Sequence, residues 1–450
     1  MVGFFCKYNM DKISFYNVSF EYNGYNLLYN TLSDSLLCLT QEESEIVKLL
    51  FENLGCFSEE YPTLYTGLKN TGFIVNTDYN ELDYIKLQNK RKIFVDRDFH
   101  ITINPTLDCN LKCWYCSTKF AKAKHTGGGM SSNVVQSVIA HIKRVIHEGK
   151  ASSLHLDWFG GEPLLYFDEV IEPISVYANQ LVNENNVRFS QHITTNATLI
   201  GIDRIHRMKE LNFTSFQIPI DGNEQRHNKI KCFQGREGTY KLVMDNINMI
   251  ASIISNVNII LRINYDKQTL KKIQDVIKDI SEESKSKIYI DFQRVWQVAC
   301  EEKERNLLKI SKENFRINGL NSNFWAYRPQ TFHRCYADKY YQYSINYDGK
   351  IFKCTAHDYG EDKVIGILLS NGEVKWNDKL LGDLFSKSTF ENERCLKCKI
   401  LPICMGPCIH RNYESRKLNK PLPCISEYAE YSLIAYIIEK AKKKCLIKEM

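Results

Sequence analysis

The chain of 450 residues lacks long apolar segments, and no stretch approaches the roughly 20 consecutive apolar residues that span a bilayer. Its first residues also lack the basic segment and sustained apolar run of a secretory signal. Neither sign of charge is in large excess, because 59 Lys and Arg stand against 53 Asp and Glu, for a net charge of +6. These absences predict a cytoplasmic protein that binds neither a membrane nor nucleic acid.

Cysteine, by contrast, is abundant, with 16 residues. Thiols stay reduced in the cytoplasm, so cysteines grouped at ligand-like spacing indicate metal binding more than disulfides. Two such groups are present: Cys109, Cys113 and Cys116, and then Cys335, Cys354, Cys395, Cys398, Cys404, Cys408 and Cys424. The others are predicted to be single small hydrophobic residues: Cys6, Cys38, Cys56, Cys232, Cys300 and Cys445.

The first group is a CxxxCxxC run that follows a short alternating segment, residues 100–104, predicted as a strand. An aromatic residue, Tyr115, stands directly before Cys116. Three thiolates in a tight loop can hold three corners of a [4Fe–4S] cluster and leave one iron for a ligand that is not protein. Three ligands and a water also suit zinc, so the spacing alone leaves both metals open.

This run resembles the radical S-adenosylmethionine (SAM) enzymes, in which SAM chelates the open iron and is cleaved to a 5′-deoxyadenosyl radical. A second hallmark of that family, Gly-Gly-Glu-Pro, stands at residues 160–163 after a predicted strand. Two glycines let a backbone approach a ligand closely, and a carboxylate suits an ammonium group. The alternative is that Gly160-Gly161 forms an ordinary turn without a ligand. The resemblance implies that SAM contacts come from Gly160, Gly161, Glu162, Pro163, Thr195, Asn196 and Tyr115. Arg262 is expected to pair with the SAM carboxylate through its bidentate guanidinium, with a structural ion pair as the alternative.

Between residues 96 and 300, predicted strands alternate with amphipathic helices, the pattern of a parallel α/β sheet. The predicted strands are residues 101–104, 153–158, 189–194, 215–220, 257–264 and 287–294. Six such units suit a partial (β/α)6 TIM-like barrel, whose sites lie on loops at the carboxyl ends of the strands. Pro219 inside the fourth strand removes a donor and predicts a bulge there.

Residues 1–95 are predicted to form a hairpin turning at Asn23-Gly24, a helix capped by Thr40 and Glu43, a second helix and a strand. This order resembles the winged-helix modules that bind leader peptides in peptide-maturing enzymes, where an exposed strand edge can take up an extended leader. A helical cap without a binding role is an equal alternative. Residues 76–98 are predicted as a connection, and 301–330 as a linker with a surface helix.

The second cysteine group follows the pattern CX13GX4C, CX2CX5CX3C and a lone Cys424. It resembles the SPASM extension behind some radical SAM barrels, so residues 331–450 are expected to be a SPASM domain ending in a helix. The resemblance implies two further [4Fe–4S] clusters, three in all, one held by Cys395, Cys398, Cys404 and Cys424 and one by Cys335, Cys354 and Cys408. A zinc ribbon is the alternative for part of this set.

The Cys335, Cys354 and Cys408 cluster lacks an obvious fourth ligand. Tyr341 and Thr355 stand where anaerobic sulfatase-maturing relatives carry a cysteine and an aspartate base. An open iron would suit a substrate thiolate, as in enzymes that form thioether crosslinks, although Asp338, His333 or Cys300 could also complete the shell.

The expected function is therefore a radical SAM peptide maturase. It would install an intramolecular thioether or carbon–carbon crosslink in a ribosomally made precursor peptide with a leader, with electrons from a flavodoxin- or ferredoxin-like donor. The alternatives are a dehydrogenase acting on a protein side chain, similar to the sulfatase maturases, and a non-catalytic cluster-binding protein.

Overall fold

The computed structural model describes residues 11–116, 128–233, 237–295, 297–298, 302–322, 335–356, 359–386, 389–424, 433–444 and 446. The predictions made for Cys6, Cys300, His333 and Cys445 lie outside these residues. The chain divides into two units, one of residues 1–96, 324–339 and 383–450, the other of residues 97–323 and 340–382. Among the described residues, no helix has the length and apolar character needed to cross a membrane.

The N-terminal segment begins with strands and continues with helices: β1 Asp11–Ile13, β2 Asn17–Tyr22, β3 Tyr25–Asn30, β4 Ser35–Leu39, α1 Gln41–Glu52, α2 Leu54–Glu60, α3 Pro62–Asn70, β5 Ile74–Asn76 and α4 Glu81–Lys90. Strands β2, β3 and β4 form an antiparallel sheet, and β5 pairs with β1. The hairpin turn is present, because Asn23 and Gly24 both have the positive φ that a two-residue turn requires. The capping box is present as well, with Thr40 and Glu43 exchanging hydrogen bonds at the start of α1.

Two predictions for this segment were wrong. The second strand of the hairpin splits into β3 and β4, because a turn interrupts it at residues 31–34. Helix α4 occupies part of the segment predicted as a plain connection. Asn80 caps it by accepting from the Asp83 N–H, and the helix buries Ile85 fully on one face. The polar composition of this segment hid one buried face of a helix.

The barrel unit is built on one large sheet, and six of its eight parallel strands match the six predicted segments to within a few residues. Its elements are β6 Asp98–Ile103, α5 Ser132–His147, β7 Ser153–Trp158, α6 Glu172–Glu184, β8 Arg188–Thr194, α7 Ile202–Glu210, β9 Phe213–Ile220, α8 Glu224–Ile230, α9 Tyr240–Ile253, β10 Asn258–Tyr265, α10 Lys267–Leu270, α11 Glu282–Lys285, β11 Ile288–Arg294, α12 Glu302–Ile317, β12 Asn321–Ser322, β13 Gln342–Ile345, β14 Lys350–Phe352, β15 Gly366–Leu368 and β16 Val374–Trp376. The strand order is β12-β11-β10-β9-β8-β7-β6-β13-β14-β15-β16, parallel from β12 through β13. The α/β fold predicted from the alternation is confirmed.

The two faces of this sheet differ in chemistry. On β7, Leu154, Leu156 and Trp158 are fully buried, whereas His155 and Asp157 on the other face keep some exposure. The same alternation recurs on β10, where the residues of Asn258–Tyr265 alternate between buried and partly exposed. The apolar face is buried against helices, and the polar face lines the barrel. In such a barrel, ligands bind at the carboxyl ends of the strands.

Pro219 does not cause the predicted bulge. It lies in register opposite Arg262 of β10, and the irregularity between β8 and β9 falls instead between Gln191 and His192, where Thr214 is the extra residue. The backbone of Gln217 faces β8, since its carbonyl accepts from the Thr195 N–H, so the nitrogen of Pro219 faces the same side. Strand β8 ends at Thr194, before it reaches the position beside Pro219. The proline therefore removes no hydrogen bond between β8 and β9.

The predicted surface linker is instead a packed part of the barrel unit. In α12, Leu308 and Phe315 are buried, and the Phe315 ring meets that of Phe292 edge-on at 5.6 Å. The helix leads into β12, which pairs in parallel with β11. A charged helix was taken for a solvated one because its narrow apolar face is hard to see among its Lys and Glu residues.

The C-terminal segment continues through α13 Asp378–Phe385, α14 Glu393–Leu396, α15 Leu401–Cys404, α16 Ile409–Lys417 and α17 Leu433–Lys443. It shares a core with the N-terminal strands, because Leu27 and Tyr29 pack with Ile403 and Ile437. A hydrogen bond from Lys399 Nζ to the Asn17 carbonyl, 3.0 Å long, adds to this core. The first 96 residues and the last 68 therefore form one folded unit rather than separate modules.

Candidate active site

The first three cysteines lie together on the loop after the first barrel strand, β6. Cys109, Cys113 and Cys116 share an apolar pocket with Leu111 and Ile230. Burial raises the pKa of the Cys109 thiol to about 12, and the negative charges of Glu162, Cys113 and Cys116 raise it further. Burial and the neighbouring negative charges oppose the ionisation of Cys109 and Cys113, and a bound cation or cluster stabilises such thiols as thiolates.

Two side-chain donors point at these sulfurs, and the Leu111 N–H lies 3.4 Å from Cys109 Sγ. Lys231 Nζ lies 3.3 Å from Cys113 Sγ, and Asn196 Nδ2 lies 3.7 Å from Cys109 Sγ. Within the described residues, no three or more His, Cys, Asp or Glu side chains have the geometry of a single-ion metal site. A cubane is larger than one ion, and its ligand sulfurs stand correspondingly farther apart. Three thiols with charged and amide donors directed at them fit a [4Fe–4S] cluster.

The Gly-Gly-Glu-Pro loop packs directly on the segment that leads to Cys109. The Gly161 N–H donates to the Thr106 carbonyl at 2.9 Å, and the Glu162 N–H donates to the Asp108 carbonyl at 2.7 Å. A Cβ on Gly160 would lie 2.3 Å from the Thr106 oxygen, and one on Gly161 only 1.9 Å from the Asp108 oxygen. In this structure the glycines allow the approach of two backbones of the same chain. Their contact with SAM remains a prediction.

Glu162 is fully buried and its carboxylate is held by the chain itself. Oε1 accepts from Thr195 Oγ1 at 2.7 Å and from the Leu164 N–H at 3.1 Å, and Oε2 accepts from the Asn196 N–H at 2.7 Å. Burial raises its pKa to about 7 against these donors. Glu162 therefore joins the second and third barrel loops, and its predicted contact with the SAM ammonium stays a prediction.

Tyr115 belongs to a hydrogen-bond chain beneath the cysteines. Its hydroxyl donates to Asp221 Oδ1 at 2.5 Å and accepts from Asn264 Nδ2 at 3.0 Å, and Asn264 Oδ1 in turn accepts from Arg262 Nε at 3.1 Å. These hydrogen bonds link the first and fourth barrel loops to strand β10. Tyr115, predicted as a SAM contact, thus has its hydroxyl engaged by the protein, and the SAM roles of Tyr115 and Arg262 are not tested by this arrangement.

Lys231 is a site residue that the sequence analysis missed. It is 5% exposed, and its Nζ lies 3.5 Å from Asp221 Oδ2. Burial opposes its charge, but the charges of Tyr115, Asp221 and Cys113 outweigh burial and hold its pKa well above the ordinary value. No motif marks a lysine 115 residues away from the last cysteine of the loop, Cys116, so only the tertiary contact reveals it.

His227 has a structural position next to this lysine. It is fully buried, its Nε2 bonds Thr239 Oγ1 at 3.1 Å, and its Nδ1 accepts from the Asp221 N–H at 3.4 Å. Burial lowers its pKa to about 3, so the ring is neutral. A neutral ring that accepts from the Asp221 backbone orients the Asp221-Gly222 turn.

The C-terminal cysteines form a second group within their own unit. Burial raises the pKa of Cys404 to about 11, and the charges of Cys398, Cys395 and Cys424 add to it. Burial and the negative charges of Cys398 and Cys424 likewise raise the pKa of Cys395. Cys404 thus lies close enough to the other three cysteines assigned to one auxiliary cluster for their charges to interact, and Cys395 lies so with Cys398 and Cys424.

Cys335 and Cys408 form a pair in the same unit. A hydrogen bond from Cys335 lowers the pKa of Cys408 to about 7 and leaves that of Cys335 raised. Cys354 belongs to the barrel unit, so its grouping with them stays a prediction. Asp338 Oδ1 accepts from the Ile409 N–H at 2.6 Å at the start of α16, a capping contact for this carboxylate.

Comparison with known proteins finds a family match for the barrel residues. The radical SAM superfamily matches residues 103–280, which include the cysteine loop and the Gly-Gly-Glu-Pro loop. These residues are therefore similar to the radical SAM domain, over less than half of the chain.

The chain is similar to a cysteine-type anaerobic sulfatase-maturating enzyme of Clostridium novyi (strain NT), with 22% identity over 68% of this chain and 86% of the relative. Among solved structures, anSMEcpe with bound AdoMet and a peptide covers 77% of this chain and 99% of its own, at 19% identity and a TM-score of 0.54. SuiB from Streptococcus suis covers 92% of this chain and 99% of its own, at 16% identity and a TM-score of 0.51. At these identities the shared feature is the fold.

Proposed function

We propose that the chain is a radical SAM peptide maturase that installs an intramolecular crosslink, thioether or carbon–carbon, in a ribosomally made precursor peptide. The observation that carries the proposal is the arrangement of three mutually adjacent thiols beside the Gly-Gly-Glu-Pro loop at the carboxyl ends of parallel strands. Cys109, Cys113 and Cys116 would hold a [4Fe–4S] cluster. Such a cluster with SAM supplies a 5′-deoxyadenosyl radical that removes hydrogen from carbon, and auxiliary clusters supply an acceptor for the electron left over.

The residues around the cysteines position that chemistry. Asn196 and Lys231 donate to cluster thiolates, and Glu162 holds the third barrel loop against the second. Arg262, on the polar face of β10, would pair with the SAM carboxylate through its planar guanidinium. Cys395, Cys398, Cys404 and Cys424 would hold one auxiliary cluster and Cys335, Cys354 and Cys408 the other, for three in all.

A peptide substrate is supported by the extent of the structural likeness. The similarity to SuiB spans 92% of the chain, more than the 77% for anSMEcpe, and SuiB has been solved with its precursor peptide SuiA. In the N-terminal segment, β2 and β4 each pair only with β3 among the described residues. An unpaired edge of this kind can take up an extended leader as an added strand.

A deletion of residues 1–95 would be a poor test of leader binding, because Leu27 and Tyr29 share a core with Ile403 and Ile437 near the auxiliary cysteines. Hydrogen exchange on the full-length protein tests leader binding without disrupting this core. The full precursor peptide encoded beside the gene should slow exchange of β2 or β4 amides, whereas the same peptide without its leader should not. If the full peptide binds, as verified separately, and β2 and β4 nevertheless exchange as fast as with the leaderless peptide, leader uptake at this sheet would be contradicted.

The reaction is tested with anaerobically loaded full-length protein, SAM, the neighbouring precursor peptide and dithionite, and then with a flavodoxin or ferredoxin as the donor. We expect 5′-deoxyadenosine and a peptide lighter by two hydrogens that does not react with hydrazide. The Cys109→Ala variant should form neither product. A loaded wild-type enzyme that yields no 5′-deoxyadenosine would remove the proposal.

The second candidate is a side-chain dehydrogenase, favoured by the similarity to the sulfatase-maturating enzyme. Tyr341 and Thr355 stand where the resemblance places a cluster cysteine and an aspartate base. Tyr341 is built into the barrel sheet, with its carbonyl accepting from the His100 N–H at 3.1 Å and its ring 4.6 Å from that of Phe99. A hydrazide-reactive aldehyde in the product would favour this candidate over the crosslink.

A further inference from the structure

We propose that Lys231 sets the reduction potential of the cluster held by Cys109, Cys113 and Cys116, by donating a charged hydrogen bond to the Cys113 sulfur. The inference rests on the proposed function, since it takes Cys113 as a cluster ligand. Lys231 would act through that ligand, as a positioning residue that tunes the cluster without touching the substrate.

The lysine is held in place by its surroundings. It follows α8, and its backbone N–H donates to the His227 carbonyl at 2.7 Å. Its Nζ lies 3.3 Å from Cys113 Sγ and 5.6 Å from the centre of the Tyr115 ring. With only 5% of the residue exposed, water cannot replace these contacts. The ammonium group is therefore fixed beside one ligand sulfur.

A fixed cation beside a ligand sulfur favours the reduced form of a cluster. Reduction adds one negative charge to the iron–sulfur core, and a positive charge in a buried site of low dielectric stabilises the more negative state more strongly. Hydrogen bonds to cluster sulfurs and local charge are the means by which proteins set such potentials. Lys231 supplies both at Cys113.

Asp221 provides a negative charge beside Lys231, so substitution of each residue is expected to have an opposite effect on the potential. Its Oδ2 lies 3.5 Å from Lys231 Nζ and, among the described residues, has no hydrogen bond, while Oδ1 accepts from Tyr115. The carboxylate offsets part of the positive charge near the cluster. Neutral substitutions at Lys231 and Asp221 should therefore move the potential in opposite directions, a pattern that a purely structural ion pair would not produce.

The test is a redox titration followed by electron paramagnetic resonance on anaerobically loaded full-length enzyme. The signal that changes on addition of SAM identifies the barrel cluster among the others. The Lys231→Met variant should lower the midpoint, with at least a tenfold loss in the reduced-to-oxidised ratio at a given potential, about 59 mV for one electron. Lys231→Arg keeps the charge and should stay near wild type, and Asp221→Asn should raise the midpoint.

Lys229→Met is the matched control, since Lys229 is an exposed lysine on α8, two residues before Lys231. It should leave the midpoint unchanged. A Lys231→Met midpoint equal to that of wild type overturns the inference. If that variant does not retain its cluster, Asp221→Asn decides, and an unmoved or lowered midpoint overturns it. A wild-type enzyme without any SAM-responsive signal defeats the proposed function itself, an outcome distinct from a SAM-responsive signal whose potential does not depend on Lys231.

Discussion

Replacement of Gly161 by alanine tests how closely the second barrel loop packs on the segment before Cys109. A Cβ at this position would lie 1.9 Å from the Asp108 carbonyl oxygen and 2.7 Å from the Leu107 carbonyl carbon. Both are backbone atoms, so no side chain can rotate away. Because Cβ atoms do not approach other atoms closer than 3.0 Å, the Asp108 carbonyl must move by about 1 Å.

The size of the effect follows from the bonds that this movement breaks. The Gly161 N–H to Thr106 bond and the Glu162 N–H to Asp108 bond, 2.9 and 2.7 Å long, hold the two loops together. Losing both destabilises the folded barrel by about 2 kcal/mol at the usual contribution of a buried hydrogen bond. The movement also displaces Cys109, so loss of one cluster is expected to be the larger functional effect.

The assay compares iron content, the SAM-responsive paramagnetic signal and the unfolding midpoint of Gly161→Ala with those of wild type. We expect loss of most of that signal while the auxiliary clusters stay loaded. Gly201→Ala is the control, because Gly201 lies in the same barrel unit at φ −136° with no atom within 4 Å of its Cβ position. A Gly161→Ala enzyme with a wild-type signal and midpoint would refute the argument from packing.

Three further changes test other parts of the structure. Because burial raises the pKa of Glu162 from 4.5 to about 7, the folded protein binds more protons than the unfolded chain in that window. Its unfolding free energy should therefore fall by about 3 kcal/mol as pH rises through the window, and Glu162→Gln should remove this slope in denaturation curves, so equal slopes would contradict it. Tyr115→Phe leaves Asp221 Oδ1 and Asn264 Nδ2 without their hydrogen bond to the Tyr115 hydroxyl and should cost about 1–3 kcal/mol in the same assay, whereas an unchanged midpoint would show that the hydroxyl is dispensable. Thr40→Ala removes the cap of α1 and should cost about 1 kcal/mol, with Thr40→Ser restoring most of it and cluster loading unaffected; an equal loss in both variants would exclude the cap as the cause.

Much of the barrel was predictable, because its strands are locally encoded. The predicted strand at residues 153–158 matches β7, Ser153–Trp158, since alternation of apolar and polar residues with period two is a local signal. Helices were harder where their apolar face is narrow. Helix α4 and the buried side of α12 were missed, because their few buried apolar residues, among them Ile85 and Phe315, lie in segments rich in polar and charged residues.

The site was predictable only in part. The cysteine loop and the Gly-Gly-Glu-Pro loop stand out by spacing, and the structure brings Cys109 and Glu162 close enough for their charges to interact. The direction of the Glu162 carboxylate toward Thr195 and Asn196 was not predictable, because it depends on how two loops meet. Lys231 carries no motif at all.

What the sequence determined by itself is the class of chemistry, because three cysteines within eight residues and a tetrapeptide after a strand are contiguous in the chain and need no long-range contact to be recognised. The tertiary structure decided which distant groups share that chemistry. It joins Lys231 to Cys113 across 118 positions, and Lys399 to Asn17 across 382. Such contacts arise from the packing of whole elements, whose relative placement no local pattern of residues specifies.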